Sequence, residues 1–165
     1  MGTLSSSEGI RAMSAVELKQ GQLLLIVTGS NLRAEMADRP LAYRLQDRIQ
    51  AWVQKHHTRM NFLLAPVVCS DGWYLSQSTA QRVPAISLGG PGVNALSAHL
   101  ADLLPTTHPA SEVVIQMDPD LVDLRVCLWG SDHAHTVLAL DWFIQERLEA
   151  YLRAAATQVE PQSDG

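Results

Sequence analysis

The segment that most constrains the fold is the apolar run at residues 22–29, Q-L-L-L-I-V-T-G. A continuous apolar run of this length that ends in glycine is typical of a β-strand with both faces buried. Strands of this kind occur in parallel sheets whose two faces are covered by helices. The run therefore predicts the central strand of an α/β sheet.

Further apolar segments alternate with helical patterns along the chain. The first helix is predicted from Asp38 and Pro40 to about His56, because an acidic residue and a proline favour a helix start. We predict an open three-layer α/β sheet, Rossmann-like in outline, of about five mostly parallel strands with helices on both faces. The remaining predicted elements are strands at 61–70, 84–89, 112–117 and 124–129, a loop at 70–83, and helices at 93–104 and from 131 or 132 to about 156.

The link between the last two predicted strands decides their relative direction. Residues 118–123 are too few for a parallel crossover, which needs about a dozen residues. We therefore predict an antiparallel hairpin for these two strands. In that arrangement the turn at Gly130 lies at the opposite end of the sheet from the glycine turns that follow the parallel strands.

The length of the chain indicates how many domains it forms, and its charge indicates which classes of partner are disfavoured. The 165 residues fit one domain at 21–156, preceded by a partly disordered extension at 1–20 and followed by a disordered tail at 157–165. The 12 Lys and Arg residues are scattered among 17 Asp and Glu residues, which disfavours a nucleic-acid partner. No apolar stretch approaches the roughly 18 residues of a membrane span, so no membrane partner is predicted.

Cys69 and Cys127 both lie in apolar, strand-like segments. A free thiol in such a segment behaves as a small hydrophobic side chain, so both are expected in the core. Their spacing fits neither a disulfide framework nor a zinc knuckle. Because the N-terminus also shows no secretory signal pattern, we expect a cytoplasmic protein.

Polar residues follow the predicted central strand at the place where open α/β sheets bind ligands, outside the carboxyl ends of the parallel strands. Backbone amides, a hydroxyl group and an arginine can together hold a phosphate or a carboxylate. The pattern is neither G-x-G-x-x-G nor a Walker motif, and a simple turn with a solvated arginine is the alternative. The predicted ligand-binding residues here are Thr28, Gly29, Ser30, Asn31 and Arg33.

A second candidate is the hexapeptide at 89–94, G-G-P-G-V-N. Three glycines around a proline let the backbone turn sharply and approach a ligand closely, which makes Gly89, Gly90, Gly92 and Asn94 candidate binding residues. Residues 87–98, S-L-G-G-P-G-V-N-A-L-S-A, resemble the strand, Gly-Gly-Pro-x-x-Asn turn and helix of archaeal surface-layer protein domains. This resemblance implies a structural turn and no reaction.

Asp71 follows the second predicted strand in the segment S-D-G-W-Y. Its carboxylate is a candidate ligand-binding group, general base or metal ligand, and Trp73 or Tyr74 can stack on a ring. A simple Asp-Gly turn is the alternative.

Asp132, His133 and His135 bring a carboxylate and two imidazoles together, which are groups that bind zinc. Side chains two residues apart diverge on a helix, so the two histidines share a metal only if the segment is extended. Capping of a helix is the alternative. We predict no metal and keep these three residues as minor candidates.

These observations support three functional hypotheses, with the enzyme class and any cofactor left open. The preferred one is a homo-oligomeric domain, most simply a homodimer, that binds a small anionic or nucleotide-like ligand at the glycine-containing loops. The second is a catalytically silent structural or interaction domain with Trp129, Trp142 and Tyr151 at a subunit interface. The third is a metal-dependent hydrolase that uses Asp71, Asp132, His133 and His135.

Overall fold

The computed structural model describes residues 23–60 and 64–158. Its described strands form one sheet of six, in the order β2-β1-β3-β6-β5-β4. The first four strands in this order are parallel to one another, β5 is antiparallel to β6, and β4 is antiparallel to β5. The strands are β1 (Leu23–Thr28), β2 (Ala65–Ser70), β3 (Ala85–Leu88), β4 (Thr106–Thr107), β5 (Val113–Gln116) and β6 (Arg125–Gly130).

Helices cover both faces of the sheet, and residues 24–28 of β1 are therefore buried on both sides. Leu24 and Ile26 of β1 pack in a cluster with one set of helices, whereas Leu25 and Val27 pack in a cluster with the other set. The first set is α1 (Leu32–Met60), α4 (His133–Glu146) and α5 (Leu148–Gln158), and the second is α2 (Asp71–Ser76) and α3 (Ala95–Leu100), with a 3-10 turn at Ala80–Arg82. The predicted fold class, an open and mostly parallel α/β sheet with one antiparallel hairpin, is confirmed.

The predicted position of Gly130 is wrong. A hairpin fixes only the relative direction of its two strands. In the structure β5 is the strand that runs opposite to the parallel strands of the sheet. The second hairpin strand, β6, pairs in parallel with β3, with Leu88 opposite Leu128. Gly130 at the end of β6 therefore lies at the same edge of the sheet as Gly89, which follows β3.

The first helix begins earlier than predicted, at Leu32 and not near Asp38 or Pro40. The reason is a side-chain cap, because Asn31 Oδ1 accepts a hydrogen bond from the amide of Ala34 at 2.8 Å. Pro40 lies inside the helix, where it removes one hydrogen bond. Its position is exposed, so water can satisfy the carbonyl group that is left without a partner.

Other predicted boundaries also shift because of local caps. The predicted loop at 70–83 contains α2, since Ser70 Oγ accepts a hydrogen bond from the amide of Trp73 at 3.2 Å. The second predicted helix is shorter than 93–104 because Asn94 caps it. The last predicted helix is interrupted at Arg147, where the backbone leaves the helical conformation. Its second part, α5, includes residues 157 and 158, which were assigned to the disordered tail; the predicted extension at 1–20 and residues 159–165 lie outside the described residues.

Tyr151 cannot serve a subunit interface, because its side chain is fully buried in the core. Its hydroxyl donates a hydrogen bond to the carbonyl of Leu124 at 2.8 Å, and its ring meets Phe143 edge to face. This corrects the interface proposed from the sequence. The other two residues of that interface, Trp129 and Trp142, are partly buried.

The two cysteines are free. Cys127 is buried in the core, as expected, whereas Cys69 on the outer strand β2 is only partly buried. Burial raises the pKa of Cys127 to about 12 and that of Cys69 to about 11. Because the thiolate is the reactive form, both are poor nucleophiles. Within the described ranges, no helix has the length and apolar character needed to cross a membrane.

Candidate functional site

A cleft of about 240 Å³ opens at the carboxyl ends of β1, β3 and β6. In the sheet, β2 lies on one side of β1 and β3 lies on the other side. The strand order therefore reverses direction between β1 and β3, and the cleft lies at this edge of the sheet. Open α/β sheets bind their ligands at such a point. The cleft is lined by Arg33, Ala37 and Asp38 of α1, by residues 89–93, by residues 129–133, and by Thr136.

Glycines allow the loop after β3 to form one wall of this cleft. Gly89 has a φ of +105°, a conformation that L side chains rarely adopt, and a Cβ there would lie 2.8 Å from Asp38 Oδ2. A Cβ on Gly90 would lie 3.1 Å from the indole ring of Trp129. The two glycines therefore give the loop the space to lie directly against Asp38 and Trp129.

Two acidic residues, Asp38 and Asp132, line the cleft. Asp38 is only 7% exposed, and none of the described residues donates a hydrogen bond to its carboxylate. Loss of solvation by burial raises the pKa of Asp38, and this effect outweighs the opposing influence of His133 and then of Arg33. The Asp38 oxygens are not among the fully buried, unpartnered side-chain atoms of the described residues, so the carboxylate is reached from the open cleft.

The positive groups of the cleft come from the starts of two helices. Arg33 lies in the first turn of α1 and has no ion-pair partner among the described residues, whereas Arg39 and Arg44 on the same helix pair with carboxylates. His133 is the first residue of α4 and also lines the cleft. The first amides of a helix have no partner within it and carry a partial positive charge. Arg33 and the amides of α4 that Asp132 does not cap are the groups on this side of the cleft that can attract an anion.

Asp71 lies at the same edge of the sheet but does not line the cleft. Its Oδ1 accepts hydrogen bonds from the Ser30 hydroxyl and, at 2.7 Å, from the amide of Gly72. Its Oδ2 accepts one from the amide of Ala95 at 2.8 Å. With both oxygens engaged, Asp71 joins the loops after β1, β2 and β3.

Asn94 also joins neighbouring strands. Its side chain donates to the carbonyl of Val27 at 3.1 Å and to that of Leu88 at 2.9 Å, which connects the ends of β1 and β3. Its Oδ1 accepts from the amides of Leu96 and Ser97 and so caps α3.

Asn31 and Gly29 bring the loop after β1 against the loop after β3. Asn31 Nδ2 donates to the carbonyl of Val93 at 3.2 Å. A Cβ on Gly29 would lie 1.8 Å from the same carbonyl oxygen, so only glycine fits there. Thr28 is fully buried at the end of β1.

The structure thus divides the ten predicted ligand-binding residues into two groups. All ten lie at the carboxyl edge of the sheet, which the strand assignment predicted. Four of them line the cleft: Arg33, Gly89, Gly90 and Gly92. The other six lie outside the cleft lining and mostly join loops: Thr28, Gly29, Ser30, Asn31, Asp71 and Asn94.

Sequence reasoning treated Asp38 only as a helix start and missed its place in the cleft. The sequence contained a signal for this position. The buried face of α1 includes Ala42, Leu45 and Ile49, and Asp38 lies on the same face, four residues before Ala42. An acidic residue on the buried stripe of a helix is unusual and indicates a special role. Trp129 was missed as a cleft residue for another reason, since Gly130 was expected at the opposite edge.

Two of the three minor metal candidates, Asp132 and His135, contact each other in the structure. Asp132 caps α4 through the amide of His135 at 2.9 Å and also contacts His135 Nδ1 at 2.6 Å. His135 Nε2 lies 3.4 Å from a carboxylate oxygen of Glu112, whereas His133 lines the cleft. The described part of the chain contains no group of three or more His, Cys, Asp or Glu residues placed to hold a metal ion.

No protein-family model, no curated protein and no solved structure matches this chain. The likeness of residues 87–98 to a surface-layer turn therefore stays a prediction. The functional argument rests on the geometry of the cleft.

We expect Asn94→Ala to destabilise the fold by about 3 kcal/mol, because it removes a helix cap and leaves two buried strand carbonyls with fewer donors. The control is Asn31→Ala at the exposed start of α1, where we expect a loss of about 1 kcal/mol. Urea denaturation measures both. Equal losses would contradict the role of Asn94 as the link between β1 and β3.

We expect Asp38→Asn to make the protein more stable at neutral pH. The folded state raises the pKa of Asp38 above 3.8, so the wild type loses stability as the pH rises from that value through the folded-state pKa. The amide variant does not titrate, so its advantage should grow over this range and then stay constant. Urea denaturation between about pH 4 and pH 8 measures the difference.

The control for this variant is Asp47→Asn, which makes the same change at an exposed position of α1. We expect it to leave the pH dependence of stability unchanged. If Asp38→Asn lowers the stability at neutral pH, the carboxylate is held favourably by the fold and the description of it as unpaired is wrong.

Proposed function

We propose that this protein binds a small anionic ligand in the cleft at the carboxyl ends of β1, β3 and β6. The observation that carries the proposal is the arrangement of Arg33, His133 and the N-terminus of α4 around one opening. Arginine, imidazolium and helix amides are the groups that bind phosphate and carboxylate. Arg33 supports this assignment further, because none of the described carboxylates forms an ion pair with it, although Asp38 interacts with it electrostatically.

The size of the cleft limits the ligand. Its 240 Å³ is below the range of about 300 to 1,000 Å³ that is usual for sites of drug-sized molecules. The sequence suggested a small anion or a nucleotide-like molecule. The cleft favours the smaller of these, with the glycine loop against one side of the ligand.

We also propose a cytoplasmic location for this ligand-binding domain. Two free cysteines, one of them in the core, are usual in proteins that stay in a reducing compartment.

The second candidate function is a catalytically silent domain that associates with a second copy of this chain. Tyr151 is excluded from such an interface, but α1 exposes Leu32 and Met36, 76% and 72% exposed, with Tyr43 two turns further on. These residues are spaced by four and seven and lie on one side of the helix. The third hypothesis, a metal-dependent hydrolase, gains no support from the described residues.

We expect Arg33→Ala to weaken binding of inorganic phosphate by about tenfold or more, because a charge-assisted hydrogen bond contributes about 1.5 to 3 kcal/mol. Isothermal titration calorimetry measures the affinity. The matched control is Arg48→Ala, which removes an exposed arginine from the same helix away from the cleft. Equal affinity in the wild type and in Arg33→Ala would reject Arg33 as the anion-binding residue.

For the second candidate, we expect light scattering to show a dimer that Met36→Glu converts to a monomer, because the new charge would be buried in the interface. The control is Val122→Glu, at an exposed apolar position far from α1 in the chain. A monomeric wild type at high concentration would reject self-association through this helix.

A further inference from the structure

We propose that Asp38 accepts a hydrogen bond from a hydroxyl group of the ligand, so that the ligand is a small phosphorylated polyol such as a sugar phosphate. This inference rests on the proposed anion site and adds the second recognition point. Its basis is a carboxylate in the cleft wall that the fold buries without giving it a donor.

The first step of the argument is hydrogen bonding. Asp38 is more than nine-tenths buried, and no described residue donates to it. The neighbouring Asp71 shows what the fold does with a structural carboxylate, since it receives three hydrogen bonds from Ser30, Gly72 and Ala95. The contrast indicates that the donor for Asp38 comes from a molecule in the cleft.

The second step is the space made for the carboxylate. Gly89 has a positive φ, and any side chain there would collide with Asp38 Oδ2. The backbone of the loop at Gly89 therefore lies close to Asp38 Oδ2. Loss of solvation also raises the pKa of Asp38, so a hydroxyl donor that enters the cleft would relieve a cost already present in the free protein.

The third step is charge. An anionic group cannot sit against an ionised Asp38, so the phosphate lies toward Arg33 and His133. Arg33 and His133 are also the two groups that lower the pKa of Asp38, against the larger effect of burial. The group that faces Asp38 is then a neutral donor, and a hydroxyl is the simplest one.

The fourth step is size. Arg33 and Asp38 both line the cleft, so one small ligand can contact both residues. The cleft volume of about 240 Å³ is compatible with a small ligand of this class.

The test compares ribose 5-phosphate with inorganic phosphate by isothermal titration calorimetry, using the full chain. We expect the wild type to bind ribose 5-phosphate about tenfold tighter than phosphate, since a hydrogen bond to a charged group contributes at least 1.4 kcal/mol. Asp38→Ala should remove this preference. It should leave phosphate binding as tight as before or tighter, because a negative charge near the anion is lost.

Two further variants make the result specific. Asp38→Asn should reduce the preference while it keeps the shape of the side chain, and Asp47→Asn should keep the wild-type preference. Retention of the full preference in Asp38→Ala, or equal binding of the two ligands by the wild type, would overturn the inference and leave the anion site intact. If the wild type binds neither ligand, the proposed function itself fails.

Discussion

The contact on which the site most depends is the pair of hydrogen bonds from Asn94 to the carbonyls of Val27 and Leu88. These carbonyls lie at the ends of adjacent parallel strands, where the ladder of backbone hydrogen bonds stops and water would otherwise be needed. By satisfying both, one buried side chain fixes the separation of β1 and β3 at the edge where the chain reverses its strand order. The same side chain caps α3, so the glycine loop between Leu88 and Asn94 is held at both ends.

Because the glycine loop after β3 is fixed at both ends, it can lie against Asp38, which receives no hydrogen bond from the described residues. The backbone at Gly89 lies directly against the carboxylate of Asp38, and neither residue gains a hydrogen bond from this contact. Most proteins would place an apolar residue at such a position of a helix. Groups that lower stability in the free protein and line a cleft are typical of functional sites, where the lost stability is recovered when a ligand binds. The rigid Asn94 contacts and the unpaired Asp38 are therefore complementary parts of one site.

The sequence predicts the sheet well because the evidence for it is local: residues 23–27 are apolar without interruption, and the link at 118–123 is too short for a crossover. It predicts the edge at which polar residues gather, since that follows from parallel strands. It does not predict which of these residues remain free to bind. Asp71 directly follows β2 whereas Asp38 lies inside α1, and only the tertiary contacts with Ser30 and Ala95 show that Asp71 is fully engaged. The side chains of Asn31 and Ser70 cap helices and so set where these helices begin. Boundaries predicted from proline and glycine alone are wrong at these positions.

The direction of β6 decides which residues meet in the candidate site. If β5 were the parallel strand of the hairpin, the turn at Gly130 and the start of α4 would lie at the far edge of the sheet, and Arg33 and Asp38 would face only the glycine loop. Because β6 pairs in parallel with β3, the amides at the start of α4, His133 and Trp129 all reach the edge where α1 begins. Two helix N-termini then flank the same opening, one carrying Arg33 and the other His133, and their positive ends favour an anion there. In the proposed complex the anionic group of the ligand faces Arg33 and a hydroxyl group faces Asp38, which is the arrangement that would distinguish a sugar phosphate from phosphate alone.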